Sequence, residues 1–271
     1  MFNFLHTFKP DPILLNLGSI NIYWYGFFIV CAITAGLFIT IKIAKHYHIE
    51  QEIILDLAFY LIIFGIIGAR IYDCLLELPH YIKNPINVFK VWQGGLAIHG
   101  AIIGGLIAIY YFSKKNNFSF IKLSAIIAPG LVFGQAIGRW GNYFNQELFG
   151  LPTNQPWGIP INILKRPDQY TGNNYFHPTF LYESLGSLMI FFILIVAHKK
   201  LFNKIEPTNF KFIVALYFLL YSALRFGLEF IRIDYAPTLL GLRWPQFISL
   251  IIIIIALIFI KKLPKINDIK A

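Results

Sequence analysis

Long apolar segments dominate the sequence and restrict the folds that the chain can adopt. Each is long enough to cross about 30 Å of hydrocarbon at about 1.5 Å per helical residue. Hydrophobic residues make up 57% of the 271 residues, charged residues only 13%, and the mean hydropathy is +0.64. An unpaired backbone N–H or C=O group is costly in lipid, and a helix pairs these groups within the segment. Such segments are therefore expected to be helices. The sequence therefore predicts an all-α integral membrane protein of about seven transmembrane helices, at residues 20–42, 53–73, 95–113, 122–140, 178–198, 210–230 and 246–262.

The excess of basic residues indicates membrane topology rather than nucleic-acid binding. The formal net charge is +10, and lysines lie in short blocks beside the apolar segments, at residues 114–115, 199–204 and 261–265. With seven spans these blocks fall on one side, which the positive-inside rule makes cytoplasmic. The predicted orientation thus has the N-terminus outside and the C-terminus in the cytoplasm.

The arginines have a different distribution from the lysines. In this topology every arginine falls in the outer half, where the positive-inside rule gives no reason for it. We therefore interpret these arginines as candidates for a functional role. The six are Arg70, Arg139, Arg166, Arg225, Arg232 and Arg243.

A single polytopic membrane domain is predicted for residues 1–271. Two connections are longer than the others, residues 74–94 and 141–177. The second is rich in Pro, Gly and Asn, which favours turns and short strands over another span. We expect residues 141–177 to form a small extramembrane cap, on the outer side, between spans four and five.

The stretch GGLAIHGAIIGG, residues 94–105, combines close-spaced glycines with a histidine. Gly100 and Gly104 are four residues apart, a spacing typical of close helix packing in membranes. His99 lies where a predicted helix enters from the outer face. Such a histidine is either structural or reactive, and the stretch by itself leaves both open.

The stretch GRWGNYFNQELFG, residues 138–150, places polar side chains at the end of an apolar run. Arg139, Asn142 and Gln146 would share one face if the helix continued, with Glu147 beside them. A charge at membrane depth costs a few kcal/mol on the insertion scale and so indicates a function. The structural alternative is an Arg139–Glu147 ion pair that helps the helix to leave the membrane.

The stretch LRFGLEFIRID carries a charged stripe on the sixth predicted span. Arg225, Glu229 and Arg232 are spaced i, i+4 and i+7 and would face the bundle interior or a wet cavity. Two arginines would share one glutamate, so one positive charge remains. That surplus favours an anionic ligand, and the guanidinium fork suits phosphate. Glu183, in FHPTFLYES, also lies within a predicted span.

Together with WYG at residues 24–26, these stretches occur in an order that resembles the bacterial prolipoprotein diacylglyceryl transferase family. The resemblance implies an inner-membrane enzyme that moves the diacylglyceryl group of phosphatidylglycerol onto the thiol of a lipobox cysteine in a prolipoprotein. Glycerol phosphate would be released, in the first step of bacterial lipoprotein maturation. The implied partners are phosphatidylglycerol and prolipoprotein signal peptides, with no nucleic acid, metal or organic cofactor.

The resemblance also implies a set of functional positions. Arg139 and Arg225 would hold the phosphate, with Asn142 donating to the head group. Glu229 or Glu147 would fix the arginine forks, and His99 would be either the base for the thiol or a head-group donor. The implied catalytic residues are His99, Arg139, Arg225 and Glu229. The implied lipid-binding residues are Tyr25, Arg139, Asn142, Glu147, Gly150, Arg225 and Arg232.

Two other functions compete with this interpretation. An anion transporter or channel predicts charges spread through the membrane depth, often in broken helices or related halves, whereas the arginines crowd toward one face. A lipid-binding protein without chemistry would carry the same phosphate-binding arginines but transfer no group. An intramembrane protease is disfavoured, since no HExxH or GxSxG stretch is present.

Overall fold

The computed structural model describes residues 2–18, 21–201 and 207–263, and this part of the chain is mostly helical. Six helices are long and apolar enough to cross a membrane. They are α2 (Trp24–His46), α3 (Gln51–Leu76), α6 (Phe120–Asn145), α7 (Thr179–Leu201), α8 (Pro207–Leu228) and α9 (Trp244–Lys262). The three shorter helices are α1 (Phe2–Thr7), α4 (Leu78–Lys83) and α5 (Ile98–Lys115). An all-α membrane protein is thus confirmed.

The seven-span count stays a prediction. The predicted span at residues 95–113 corresponds to α5, whose 18 residues end in two lysines and which is not among the six apolar helices. The first predicted span begins too early. Residues 21–23 form strand β2 (Asn21–Tyr23), which pairs antiparallel with β1 (Ile13–Asn16), so the helix starts only at Trp24.

The described residues fall into two compact units. One contains residues 1–39 and 127–271, and the other contains residues 40–126. Within the second unit, α3 and α5 pack through glycines. A Cβ on Gly68 would lie 3.1 Å from the Cα of Gly104, and a Cβ on Gly100 would collide with the carbonyl of Gly68. The predicted packing role of Gly100 and Gly104 is confirmed.

In the first unit, α8 packs against both α7 and α9. The chain between α6 and α7 contains strands β3 (Ile159–Pro160) and β4 (Tyr175–Phe176), which pair antiparallel, and two single-turn 3-10 helices. Phe149 and Phe176 bury their rings there with Leu5 and Phe180. A third pair, β5 (Thr238–Leu239) and β6 (Leu242–Arg243), precedes α9. Turns and short strands were predicted for residues 141–177, although the first five of these residues still belong to α6.

Candidate functional site

Two helix ends of the first unit, and the turn after one of them, supply the three arginines of the predicted lipid-binding site. Arg139 lies in the C-terminal part of α6, and Arg225 lies in the last turn of α8. The α8 helix ends at Leu228, so Arg232 projects from the turn that follows. A hydrogen bond of 2.8 Å from the Leu151 N–H to the Ile231 carbonyl holds this turn. The predicted stripe of three charges is therefore only partly helical.

Glu183 is the carboxylate on which three arginines converge. It is in the first turns of α7 and is only 1% exposed. Its Oε1 lies 2.5 Å from Nη2 of Arg139. Its Oε2 lies 3.6 Å from Nη1 of Arg225 and 3.8 Å from Nη1 of Arg232. A buried carboxylate with these partners holds the guanidinium groups of two helices and one turn at a common place.

Glu229 is a second buried carboxylate in the same cluster. Its Oε2 lies 3.0 Å from Nη2 of Arg225 and 3.7 Å from Nε of Arg232. Its Oε1 lies 3.4 Å from Nη1 of Arg243. Asp234 pairs with Nε of Arg232 at 2.8 Å. The four arginines and three carboxylates that are joined by direct ion pairs leave one positive charge, and Glu147, which is joined to them through Asn142, adds a fourth carboxylate.

Asn142 joins the arginine cluster to Glu147. Nη1 of Arg139 donates to Oδ1 of Asn142 at 3.4 Å, and Nδ2 of Asn142 donates to Oε1 of Glu147 at 2.6 Å. The structural alternative, a direct Arg139–Glu147 ion pair, is therefore wrong. Arg139 pairs with Glu183 instead.

Gln146 does not share a face with Arg139 and Asn142. The α6 helix ends at Asn145, and Gln146 takes a left-handed conformation with φ of 50°. Its Nε2 donates to the Pro10 carbonyl at 2.8 Å, and its Oε1 accepts from the Asn162 N–H at 2.7 Å. The side chain therefore fastens the chain beyond the helix.

Tyr25 and Gly150 lie beside the cluster rather than in its ion-pair network. The ring of Tyr25 packs against Gly141, where a Cβ would come 2.8 Å from Cδ2 of the tyrosine. A Cβ on Gly150 would come 2.9 Å from the Ile231 carbonyl and 2.9 Å from Cβ of His177. Gly150 thus permits the close approach of three backbone segments at the turn that carries Arg232.

A cavity of about 390 Å³ opens beside this network. Glu147 and Asp234 line it, together with Lys165, and none of the four arginines of the cluster is among its lining residues. The cavity therefore borders two carboxylates of the cluster and is large enough to admit part of a ligand.

His99 belongs to the second unit. It is the second residue of α5, its side chain is exposed, and its ring centroid lies 5.8 Å from that of Tyr72. The structure thus joins six of the predicted residues by direct ion pairs or hydrogen bonds and leaves His99 outside that set. The six are Arg139, Asn142, Glu147, Arg225, Glu229 and Arg232.

Three members of the cluster were absent from the predicted site, namely Glu183, Asp234 and Arg243. Glu183 had a usable signal, because a lone carboxylate inside an apolar 23-residue helix requires a partner. Arg243 donates to the carbonyls of Glu229, 3.2 Å, and Arg232, 2.6 Å, and to that of Asp234. These contacts span 9 to 14 residues across the turn that follows α8, so no helical spacing predicts them.

Comparison with known proteins gives a consistent result. A family model described as prolipoprotein diacylglyceryl transferase matches residues 12–261. A protein of Prochlorococcus marinus is 42% identical over 269 residues, covering 89% of this chain and 88% of that protein. Proteins of Trichormus variabilis and Synechocystis are 41% and 40% identical, each covering 91% of this chain and 87% of the relative. All three relatives are named phosphatidylglycerol–prolipoprotein diacylglyceryl transferase.

Proposed function

The chain belongs to the prolipoprotein diacylglyceryl transferase family, and from this premise we propose how its arginine–carboxylate cluster serves the reaction. The enzyme transfers the diacylglyceryl group of phosphatidylglycerol to prolipoproteins, the first step of lipoprotein maturation. The acceptor in our proposal is the thiol of the lipobox cysteine. The observation that carries the proposal is that the guanidinium groups of Arg139, Arg225 and Arg232 converge on one buried carboxylate, that of Glu183.

The reaction is an alkyl transfer in this proposal. The thiolate sulfur attacks the glycerol carbon that bears the phosphate, a carbon–sulfur bond forms, and the carbon–oxygen bond breaks. The phosphate oxygen keeps the electron pair and leaves as glycerol phosphate, while the thiol proton passes to a base. The product is a thioether.

Departure of the phosphate needs the protein more than ionisation of the thiol does. A free thiol with a pKa near 8.5 costs only about 2 kcal/mol to ionise at pH 7. Fixed donors aimed at a developing negative charge commonly contribute about 3 kcal/mol each in a site from which water is excluded. Two guanidinium groups thus supply more of the barrier reduction than a general base can.

Arg139 and Arg225 are the proposed phosphate clamp. Glu183 and Glu229 orient their forks, as supported by the 2.5 Å contact to Arg139 and the 3.0 Å contact to Arg225. This arrangement favours Glu229 over Glu147 as the carboxylate that fixes the Arg225 fork.

The remaining lipid-binding roles concern residues around this clamp. Asn142 donates to the head group in our proposal, and Glu147 orients Asn142 through the 2.6 Å hydrogen bond between them. Arg232, Tyr25 and Gly150 complete the phosphatidylglycerol site. Their support is the ion pair of Arg232 with Glu183 and the close packing of the other two residues.

His99 is proposed as the base for the thiol or as a head-group donor. The support is its place in GGLAIHGAIIGG and its exposed side chain at the start of α5. Replacing His99 by Ala separates the two roles. Loss of a base lowers turnover and leaves lipid affinity unchanged, whereas loss of a donor weakens lipid affinity as well.

The proposed topology has seven spans, with α5 as the third. At about 1.5 Å per residue its 18 residues extend about 27 Å, close to the hydrocarbon thickness. Lysines lie in the last turn of α2, α5, α7 and α9. If α5 crosses the membrane, all four of these ends are on one side, as the positive-inside rule requires.

In this topology the N-terminus lies outside and the C-terminus lies in the cytoplasm. The membrane in our proposal is the inner membrane of a bacterial cell. Residues 141–177 then form the periplasmic cap of one polytopic membrane domain, residues 1–271. Cysteines introduced singly in the cap and beside Lys114, in a protein freed of Cys31 and Cys74, test this topology. A membrane-impermeant maleimide added to spheroplasts should label only the cap position.

The transfer itself is tested with purified protein in detergent, phosphatidylglycerol and a lipobox peptide. A diacylglyceryl mass increase on the cysteine is expected, with glycerol phosphate released in equal amount. The same peptide with its Cys replaced by Ala is the matched control and should gain no mass. A folded, lipid-binding preparation that forms no adduct would contradict the proposed acceptor.

A further inference from the structure

Arg70 is an outer-half arginine that the proposed mechanism does not use. It lies in α3, in the second unit, and is 7% exposed. A guanidinium buried within a membrane-spanning helix is stable only where its donors are satisfied. The contacts of Arg70 therefore indicate what it does.

The partners of the guanidinium are backbone carbonyls of the segment that leads to α5. Nε donates to the Val88 carbonyl at 2.9 Å. Nη1 donates to the carbonyls of Gly94, 2.7 Å, and Gly95, 2.8 Å, and Nη2 donates to that of Asn87. Four of the five N–H groups of the arginine are thus committed to residues 87–95. A group so fully occupied holds the backbone and is not an open site for an anion.

Asp73 and Tyr81 hold the guanidinium from the other side. Oη of Tyr81 donates to Oδ2 of Asp73 at 2.7 Å, and Asp73 lies 3.8 Å from Nη1 of Arg70. The guanidinium carbon is 5.1 Å from the centroid of the Tyr81 ring. The hydrogen bond to Asp73, and to a smaller extent burial, raises the pKa of Tyr81, so the phenol stays protonated as the donor.

Gly95 fits this arrangement because it lacks a side chain. Its φ is 72°, and a Cβ there would lie 2.6 Å from Oδ2 of Asp73 and would collide with the guanidinium. Two residues later the Ala97 N–H bonds to the Ala69 carbonyl at 3.1 Å. The α5 helix then begins at Ile98, and His99 follows. The arginine thus fixes the backbone immediately before the histidine.

We propose that Arg70 is a positioning residue for His99. By binding four carbonyls of residues 87–95, it sets the start of α5 and hence the direction of the imidazole. Arg70 itself contacts no reacting atom in this mechanism. The inference rests on the proposed role of His99 in the transfer reaction.

Arg70→Lys is the test variant, because lysine keeps the charge and loses the planar fork. Small misplacement of a reacting group lowers rates strongly, so we expect kcat to fall about 10- to 100-fold with little change in KM for phosphatidylglycerol. Hydrogen–deuterium exchange should rise in the peptide that covers residues 87–99 and stay unchanged elsewhere.

Arg166→Lys is the matched control. Arg166 also donates to backbone carbonyls, those of Ile161 and Thr171, each at 2.9 Å, but it lies in the first unit. Its lysine variant should keep wild-type kcat and normal exchange at residues 87–99. If Arg70→Lys does not fold, Asp73→Asn perturbs the same set of contacts around Arg70 with the arginine retained and should lower kcat in the same way.

A double-mutant cycle with His99→Ala decides whether Arg70 acts through the histidine. If it does, Arg70→Lys causes no further loss in the His99→Ala protein. Losses that multiply would overturn the inference, and so would wild-type kcat in Arg70→Lys. Wild-type kcat in His99→Ala would remove the role of the histidine and this inference together, whereas the transfer assay on wild-type protein tests the function independently.

Discussion

Arg225→Lys keeps the positive charge at the end of α8 and removes the fork that spans two carboxylates. Nη1 of Arg225 lies 3.6 Å from Glu183, and Nη2 lies 3.0 Å from Glu229. A single ammonium group can keep one of these contacts and cannot present a bidentate face to a phosphate. The substitution therefore isolates the geometry of the clamp from its charge.

The expected loss follows from the donor that is removed. One fixed donor to a developing oxyanion is worth about 3 kcal/mol, and about 1.4 kcal/mol corresponds to a factor of ten in rate. We expect kcat to fall about 100-fold. The fold should survive, since Glu183 retains Arg139 at 2.5 Å and Glu229 retains Arg243 at 3.4 Å.

The assay is the initial rate of glycerol phosphate release at saturating phosphatidylglycerol and lipobox peptide. Arg166→Lys, the same substitution outside the cluster, is the control. A folded Arg225→Lys protein that turns over like wild type would refute the clamp. So would a defect confined to KM, because it would mean that Arg225 binds the ground state and the transition state equally well.

Three further perturbations have defined outcomes. Glu183→Gln leaves Arg139 without its buried counterion and should lower the free energy of unfolding by about 3 kcal/mol, measured by denaturation in detergent, with Glu183→Asp less affected. Asn142→Asp places a second carboxylate 2.6 Å from that of Glu147, so activity should fall and should recover partly as pH is lowered and one carboxyl group protonates. Burial lowers the pKa of His177 below its usual 6.5, so the unfolded chain binds the proton more readily. Stability should decrease as pH falls below about 6.5, and the decrease in thermal midpoint should be smaller in His177→Asn.

The membrane helices were largely predictable because their signal is the length of an apolar run. The start of α2 was placed four residues early, at residue 20, because Ile22 and Tyr23 extend the apolar run, although residues 21–23 pair with Ile13 to Asn16. Strand pairing depends on a partner segment, and the hydropathy of one segment carries no information about its partner.

The candidate site was predictable only where its contacts are local. The i, i+4 spacing of Arg225 and Glu229 gave a pair that the structure contains. The pairing of Arg139 with Glu183 joins α6 to α7, and no sequence spacing encodes it. Gln146 was placed wrongly because the helical period was extended one residue past the end of α6.

Arg139→Ala tests most directly whether the arginine cluster serves the departing phosphate. The measurement is single-turnover formation of the diacylglyceryl peptide, followed by mass spectrometry, with folding and lipid binding checked on the same preparation. We expect the rate to fall by about 100-fold or more, with partial recovery on adding guanidinium and none on adding sodium at equal ionic strength. A folded Arg139→Ala protein that forms the adduct at the wild-type rate would contradict the proposed role of the cluster.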